Sequence, residues 1–245
     1  MKTRHQTNQS KAFTLVELLV VIAIVGILAA IIVPVVGRSM VKAKVATAKK
    51  EMADIAAAIK SYQTTYSRWP VQPNYIKNTF GDVTFGWRDT GGTYHDNSTL
   101  MELLCNRDYG RGTDVARRNP KKIQFLDLSE NSDGDGYPGL SPYKPAANGV
   151  YYRGRYHDPF GSEYRISVDF DGDNLCADVF YGRPQASAGG STGLKNRKQL
   201  KNGIGPEVYV LEGTVMVWSL GPDKLLNENA KDNESTNADN ILSWK

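Results

Sequence analysis

One apolar stretch constrains this sequence more than any other feature. From Phe13 to Val36 the residues are apolar apart from Thr14 and Glu17, a run of 24 positions that follows a polar leader. As an α-helix the run would be about 36 Å long, and about 20 apolar residues suffice to cross the hydrocarbon core of a bilayer. A helix of this length in a soluble protein would carry a polar face, which this run lacks. The sequence therefore predicts a membrane-spanning helix.

Glu17 is the acidic residue inside this run. An ionised carboxylate without a partner is costly in lipid, so something must neutralise it. The basic residues of the leader favour a position at the membrane interface, which is one solution. The other solution needs a cut between Ala12 and Phe13. The new α-amine of Phe13 on one copy of the chain would then pair with Glu17 on a neighbouring copy and set the register between subunits.

The segment KAFTLVELLVVIAIVGILAAI, which begins at Lys11, resembles the N-terminal signature of the type IV pilin-like family. The resemblance implies that a prepilin peptidase cuts between Ala12 and Phe13 and methylates the new amine of Phe13. It implies further that Glu17 serves filament assembly and that Pro34, the 22nd residue after the cut, loosens the helix. The chain departs from the family pattern at Ala12, where the family usually has glycine.

A second helical pattern continues directly from the first. Apolar residues recur at alternating steps of four and three up to Tyr66, which is the spacing of one face of an amphipathic helix. Trp69-Pro70 ends the pattern, because the residue before a proline disfavours helical backbone. We expect residues 13–66 to form one helix whose second part packs on a sheet of the same chain; a coiled coil is the alternative interpretation. The stripe consists of Val41, Val45, Ala48, Met52, Ile55, Ile59, Tyr62 and Tyr66.

The remaining sequence is rich in Gly, Asn, Asp and Ser, a composition typical of turns between β-strands. Alternating residues at 164–170 and 177–181, joined by a turn at 171–174, predict a β-hairpin. Residues 183–206 predict a mobile loop with a solvated basic face. Other predicted elements are a short helix at 99–105 and strands at 121–128, 149–153, 208–211 and 214–220.

These patterns together predict an α+β fold. A long N-terminal transmembrane-plus-stalk α-helix would pack on a small antiparallel β-sheet that carries long loop insertions. The predicted divisions are a leader at 1–12, a membrane and assembly helix at 13–36, an amphipathic stalk helix at 37–68 and a body at 69–245.

The two cysteines, Cys105 and Cys176, lie far apart in the sequence and neither belongs to a CxxC pair. They form either one disulfide in an oxidising compartment or two buried thiols. The sequence leaves both alternatives open.

Three short segments narrow the resemblance to the major pseudopilin (G subunit) of type II secretion. They are the Trp69-Pro70 turn, residues 157–161 (HDPFG) and the C-terminal segments 219–223 (SLGPD) and 237–244 (NADNILSW). In that family the C-terminal loop binds calcium, which takes about six to eight oxygen ligands. The alternative is a loop of Asx-turns with no ion. The ligands that the resemblance implies are Leu220 through its carbonyl, Asp223 and Asp239 through their carboxylates, and Asn240.

The sequence contains none of the common enzyme motifs: no phosphate-binding Gly-Lys-Ser/Thr loop, no HExxH and no nucleophile elbow. Its net charge of +4 is small and its basic residues are scattered, so we expect no nucleic-acid partner. We therefore expect a protein that is not an enzyme.

The resemblance implies a structural subunit of a type II secretion pseudopilus. The protein would be single-pass in the inner membrane, with the leader in the cytoplasm and the body in the periplasm. Its partners would be prepilin peptidase, further copies of itself, minor pseudopilins, the inner-membrane secretion platform and the lipid bilayer. A minor pseudopilin or a type IV pilus subunit is the nearest alternative. A different class is an uncleaved single-pass protein whose outer domain binds a ligand.

Overall fold

The computed structural model describes residues 14–71, 75, 81–88, 92–109, 114–142, 154–188, 192–198 and 207–245. Two units make up the chain, residues 1–43 and 44–245. Ala12, Phe13 and the strand predicted at 149–153 lie outside the described residues.

The predicted long helix is present as α1, which spans Leu15–Tyr66. Its described side chains up to residue 43 are all exposed within the protein. By length and composition α1 qualifies as a membrane-crossing helix. Pro34 lies inside the helix and has no N–H, so it leaves the carbonyl four residues earlier without its usual donor.

The second part of α1 buries the predicted stripe in a core of its own unit. Val45 and Tyr66, at the two ends of this stretch, are partly buried against the same core, whereas Val41 is exposed. The stripe is thus occupied by contacts within the chain, as the sequence predicts. Its fully buried members are Ala48, Met52, Ile55, Ile59 and Tyr62.

Short strands and helices form the rest of the described chain, which confirms the α+β class. In chain order they are β1 (Val83–Phe85), β2 (Trp87–Arg88), β3 (Tyr94–His95), α2 (Ser98–Leu104), α3 (Val115–Arg118), β4 (Gly139–Leu140), β5 (Tyr156–His157), β6 (Arg165–Val168), β7 (Leu175–Cys176), α4 (Pro184–Ser187), β8 (Lys195–Lys198), β9 (Glu207–Glu212), β10 (Val215–Ser219), a 3₁₀ helix (Ser235–Asp239) and β11 (Ile241–Leu242).

The sheet under α1 has four antiparallel strands in the order β1, β6, β10, β11. Because side chains alternate along a strand, Ile166 and Val217 point into the core that contains Ile55, while Trp218 belongs to a second core. The hydroxyl of Tyr164 donates a 2.5 Å hydrogen bond to Glu51 Oε2, which ties the helix to the chain just before β6. A separate three-stranded sheet has the order β7, β9, β8.

The predicted hairpin between 164–170 and 177–181 is wrong. Both edges of β6 are already paired, one with β1 and the other with β10, so no edge is left for residues 177–181. The turn between the two segments exists, since the Asp169 carboxylate accepts the backbone N–H groups of residues 172–174 at 2.8, 3.2 and 2.9 Å. After this turn the chain pairs as β7 with β9 instead.

Other local predictions had mixed outcomes. The short helix at 99–105 is present as α2, and the strands at 208–211 and 214–220 as β9 and β10. Residues 121–128 do not form a strand, because Phe125 and Leu126 donate their N–H groups to the carbonyl of Leu104 at the end of α2. Within the loop predicted at 183–206, the described residues form α4 and β8, and β8 pairs with β9.

A buried polar cluster lies beside α2 and is centred on Glu163. Its Oε1 accepts the N–H of Asn97 at 2.6 Å, and its Oε2 accepts the hydroxyl of Tyr94 at 2.8 Å. The Arg155 Nε lies 3.9 Å from Oε2. Burial raises the pKa of Glu163 to about 7. The hydrogen bonds and the Arg155 charge lower this pKa but offset only part of the rise. The folded protein therefore holds a proton on Glu163 under conditions in which an unfolded chain releases it.

This raised pKa predicts a loss of stability between pH 4.5 and pH 7. The unfolded state binds fewer protons than the folded state in this window, so the free energy of unfolding falls as the pH rises. At about 1.4 kcal/mol per pKa unit, the Glu163 contribution is on the order of 3 kcal/mol. Replacing Glu163 by Gln should remove this contribution, as measured by denaturant unfolding across the window. The exposed Glu228→Gln is the matched control; an unchanged pH slope in Glu163→Gln would contradict the assignment.

Candidate functional site

The first candidate site is the start of α1, where Thr14 and Glu17 form a reciprocal pair. The backbone N–H and the hydroxyl of Thr14 both donate to Glu17 Oε2 at 2.8 Å. In return, the backbone N–H of Glu17 donates to Thr14 Oγ1 at 3.3 Å. This arrangement is a capping box, in which two backbone donors at a helix start are satisfied by two side chains. The Glu17 carboxylate is thus held by its own chain before any partner arrives.

The sequence analysis missed this role of Thr14. Its signal was present, because Thr14 and Glu17 have the S/T-x-x-E spacing of a capping box. Both local hydrogen bonds use Oε2 of Glu17, and Oε1 accepts none from the residues that the structure describes. One carboxylate oxygen therefore remains available to a further donor.

The two cysteines are buried free thiols. Cys105 lies in the core under α1, and Cys176 lies in the second core with Trp218. Burial raises the pKa of Cys105 to about 12 and also raises that of Cys176 well above its usual value. Of the two alternatives that the sequence left open, the structure contains two buried thiols.

The second candidate site is the C-terminal loop, where the structure brings Asp223 and Asp239 together. The backbone N–H of Asp223 donates to Asp239 Oδ2 at 3.1 Å, and Asp223 Oδ1 accepts the N–H of Leu225 at 2.8 Å. Burial and the neighbouring Asp223 charge both raise the pKa of Asp239, although the hydrogen bond from Asp223 opposes them. Two like charges are therefore held near each other, which is an arrangement that a cation would relieve.

Two of the predicted calcium ligands each have an oxygen atom that lacks a donor. Asp239 Oδ1 and Asn240 Oδ1 are buried, and neither has a hydrogen-bond partner among the residues that the structure describes. The Asn240 amide is oriented by its Nδ2, which donates to the hydroxyl of Tyr181 at 2.9 Å. A buried oxygen without a donor is costly. Oxygen atoms of this kind suit a hard cation such as calcium.

Gly221 allows the two halves of the loop to approach. Its φ is +70°, and a β-carbon at this position would lie 2.1 Å from the carbonyl oxygen of Asp239. The N–H of Gly221 donates to Ser219 Oγ at 3.1 Å, and the Ser219 hydroxyl in turn donates to Asp158 Oδ2. Asp158 also accepts the N–H groups of Phe160 and Ser162, each at 2.8 Å. The 157–161 turn therefore supports the C-terminal loop.

Asn237 is a second residue that the sequence analysis missed. It is buried, and its Oδ1 accepts the N–H of Asn227 at 3.0 Å. Its Nδ2 faces the carbonyls of Asn227, Ala230 and Lys231 at 2.8 to 3.2 Å. One amide thus closes the long segment between Asp223 and Asp239. No local sequence signal distinguishes it among the other Asn residues of this segment.

A third group of acidic residues lies at the turn after β6. Carboxylate oxygens of Asp82, Asp169 and Asp171 lie within 4.8 Å of one another, and burial raises the pKa of Asp82 to about 7. The Asp82 oxygens accept the N–H groups of Phe170 and Ala177, while Asp169 holds the turn. These hydrogen bonds give the group a structural role as a turn.

Two comparisons with known proteins found a match to this chain. Residues 7–33 match the family described as the prokaryotic N-terminal methylation motif. The type II secretion system core protein G of Pseudomonas aeruginosa is 43% identical over 65 residues, which are 26% of this chain and 46% of that protein. The match thus spans less than half the length of this curated relative. No solved structure matches the chain.

The close approach at Gly221 predicts a large effect of a single methyl group. Gly221→Ala combines a left-handed φ with a clash against the Asp239 carbonyl, so the loop must open. We expect a fall in the thermal midpoint of several degrees, corresponding to about 1–3 kcal/mol. Gly213→Ala is the control, because a β-carbon there would meet only Leu211 at an ordinary 3.6 Å. Equal midpoints for the two variants would show that the loop does not need the close approach.

Proposed function

Since the methylation motif at residues 7–33 and the secretion-protein relative support a type IV pilin-like chain, we propose that the protein is a structural subunit of a type II secretion pseudopilus. It would polymerise through α1 and support protein export as a filament rather than as a catalyst. The observation that carries the proposal is the first part of α1, which is exposed and apolar up to Val36 and whose one acidic residue, Glu17, lies in the first turn of the helix. Such a surface must be covered by lipid, by other copies of the chain, or by lipid before assembly and by other copies after it.

The geometry of Glu17 supports assembly through this helix. Thr14 occupies Oε2 and orients the carboxylate, while Oε1 accepts no hydrogen bond from the described residues. We propose that cleavage between Ala12 and Phe13 exposes an α-amine, which on a neighbouring copy donates to Oε1. A charge pair in an apolar surrounding is poorly stabilising by itself, but an unpaired charge there is strongly destabilising. The pair would therefore specify the register between subunits.

The membrane placement follows from the same segment. We propose that α1 anchors the protein in the inner membrane, with the leader in the cytoplasm and the body in the periplasm. The partners of this proposal are prepilin peptidase, further copies of the chain, minor pseudopilins and the inner-membrane secretion platform. The helix-loosening role of Pro34 belongs to the same proposal, because the missing N–H weakens α1 at that point.

We propose also that the C-terminal loop binds calcium. Asp223 and Asp239 would provide carboxylate oxygens, Asn240 its side-chain oxygen and Leu220 its carbonyl. The buried oxygens of Asp239 and Asn240 that lack donors support this proposal. Calcium would hold the two carboxylates together and join the two ends of the loop.

The processing proposal predicts the mature N-terminus. Mass spectrometry of the protein from its native membrane should find an N-methylated Phe13 as the first residue. Replacing Glu17 by Val should leave the protein in the membrane but exclude it from filaments, because the amine of the neighbouring copy loses its acceptor. Cross-linking and filament isolation provide the measurement.

The matched control is Leu19→Ile, an apolar change in the same part of α1 that should assemble normally. An intact Met1 terminus together with a protein that never assembles would favour the single-pass anchor class instead. Normal incorporation of Glu17→Val would remove the assembly role of this residue.

The calcium proposal predicts a chelator-sensitive thermal midpoint. At a free calcium concentration 100 times the dissociation constant, binding stabilises the folded state by about 2.7 kcal/mol. Chelation should therefore lower the midpoint of the natural chain, and it should leave that of Asp223→Asn unchanged. Asp133→Asn, an exposed acid in another turn, should respond like the natural chain. A midpoint that chelator does not move in any of the three proteins would exclude a stabilising calcium site.

A further inference from the structure

Two exposed apolar side chains stand out in the unit formed by residues 44–245. Among its described residues, Tyr137 and Leu225 are the large hydrophobic side chains that remain exposed, at 52% and 55%. Each lies in a loop, between α3 and β4 for Tyr137 and after β10 for Leu225. Neither contributes to a core cluster. Their exposure therefore has no explanation in the packing of this unit.

The two loops meet at Gly161. A β-carbon at Gly161 would lie 2.2 Å from the carbonyl oxygen of Gly136 and 3.4 Å from Lys224 Nζ. Gly136, which precedes Tyr137, and Lys224, which precedes Leu225, thus both lie next to Gly161. The two loops are in contact there although they are far apart in sequence. Next to this point is Phe160, which is half-buried.

The ring of Phe160 connects this region to α1. Lys44 Nζ lies 5.5 Å from its centroid, at a distance typical of a cation–π contact. We call the five residues that lie at this point or next to it in the chain the loop surface. They are Lys44, Tyr137, Phe160, Lys224 and Leu225.

The loop surface lies at one end of this unit. Lys44 and Tyr66 are 22 residues apart on α1, which is about 33 Å along a helix. At the Tyr66 end, the Tyr66 hydroxyl donates to Asn119 Oδ1 at 2.6 Å, and Lys121 Nζ lies 5.8 Å from the Tyr66 ring. Lys121 therefore marks the opposite end from the loop surface.

The covalent chain tethers this unit to the membrane anchor at Lys44, the first residue of the unit. Eight residues lead from Val36, the end of the apolar run, to Lys44, and a chain of this length reaches at most about 28 Å. Aromatic, aliphatic and lysine side chains together are typical of the membrane–water interface, where apolar parts contact lipid and ammonium groups stay in water. The loop surface has this composition at the tethered end.

We propose that the loop surface rests on the headgroup region of the bilayer into which α1 inserts. The inference rests on the proposed membrane placement of α1. Asp133 and Asp223 belong to the same two loops and offset the charges of Lys44 and Lys224. The apolar side chains therefore carry the contact, and it depends little on lipid charge. The contact would hold an unassembled subunit in one orientation, with its Tyr66 end away from the lipid.

The test uses the full chain reconstituted in phospholipid vesicles. A cysteine is introduced at Leu225, labelled with an environment-sensitive fluorophore, and exposed to lipids that carry a nitroxide at the headgroup. Cys105 and Cys176 are buried, so labelling addresses the introduced thiol. Tyr137→Cys repeats the measurement from the other loop. Lys121→Cys is the matched control, an exposed site at the far end of the same unit.

We expect severalfold stronger quenching at 225 and at 137 than at 121, in zwitterionic and in anionic vesicles alike. Equal quenching at all three sites, or quenching in anionic vesicles alone, would overturn the proposal. Quenching that is absent at 225 while labelled copies transfer energy to each other would assign the surface to a second copy and would also overturn it. A protein that alkaline washing removes from the vesicles would refute the membrane placement of α1 itself, which separates the two failures.

Discussion

The apolar residues of α1 form two groups, and each group must be buried in a different way. From Leu15 onward they surround the helix, so no orientation hides them within the chain, and their burial needs an outside partner. From Ala48 to Tyr62 they form one stripe, which the sheet of β1, β6 and β10 covers. The hydrogen bond between Tyr164 and Glu51 adds a polar contact to this packing. The same helix is therefore a structural element of the body and, in our proposal, the surface that lipid or other subunits cover.

The carboxylate of Glu17 is energetically costly in an apolar segment, and Thr14 holds it in a defined orientation. Its capping box with Thr14 orients the carboxylate and satisfies backbone donors at the start of α1, where a helix otherwise leaves N–H groups free. In the proposed filament, the remaining oxygen would accept the amine of a neighbouring copy. Thr14 would accordingly be a positioning residue for the proposed subunit pairing, because it acts through the orientation of Glu17.

A series of polar contacts holds the C-terminal loop together, beside the packing of Leu220 and Leu226 on the second core. Asp158 supports Ser219, Ser219 receives the N–H of Gly221, and Gly221 allows the approach of Asp239. Asn237 closes the long segment between the two acidic residues. This chain of contacts holds the proposed calcium ligands in place, and it also brings the loop of Leu225 to that of Tyr137.

The sequence by itself determined the parts that follow from periodicity and local motifs. The apolar run, the stripe of α1, the short helix α2, the strands β9 and β10 and the pilin-like signature are all local signals, and each was confirmed. The tertiary structure decided the strand pairing of residues 164–181. Both edges of β6 pair with other strands, β1 and β10, so residues 177–181 cannot pair with it. The tertiary structure decided likewise the thiol state of Cys105 and Cys176, the roles of Asn237 and Gly221, and the approach of the loops of Tyr137 and Leu225 at Gly161. Those outcomes arise from contacts between residues far apart in the chain, and such contacts leave no periodic trace in a single sequence.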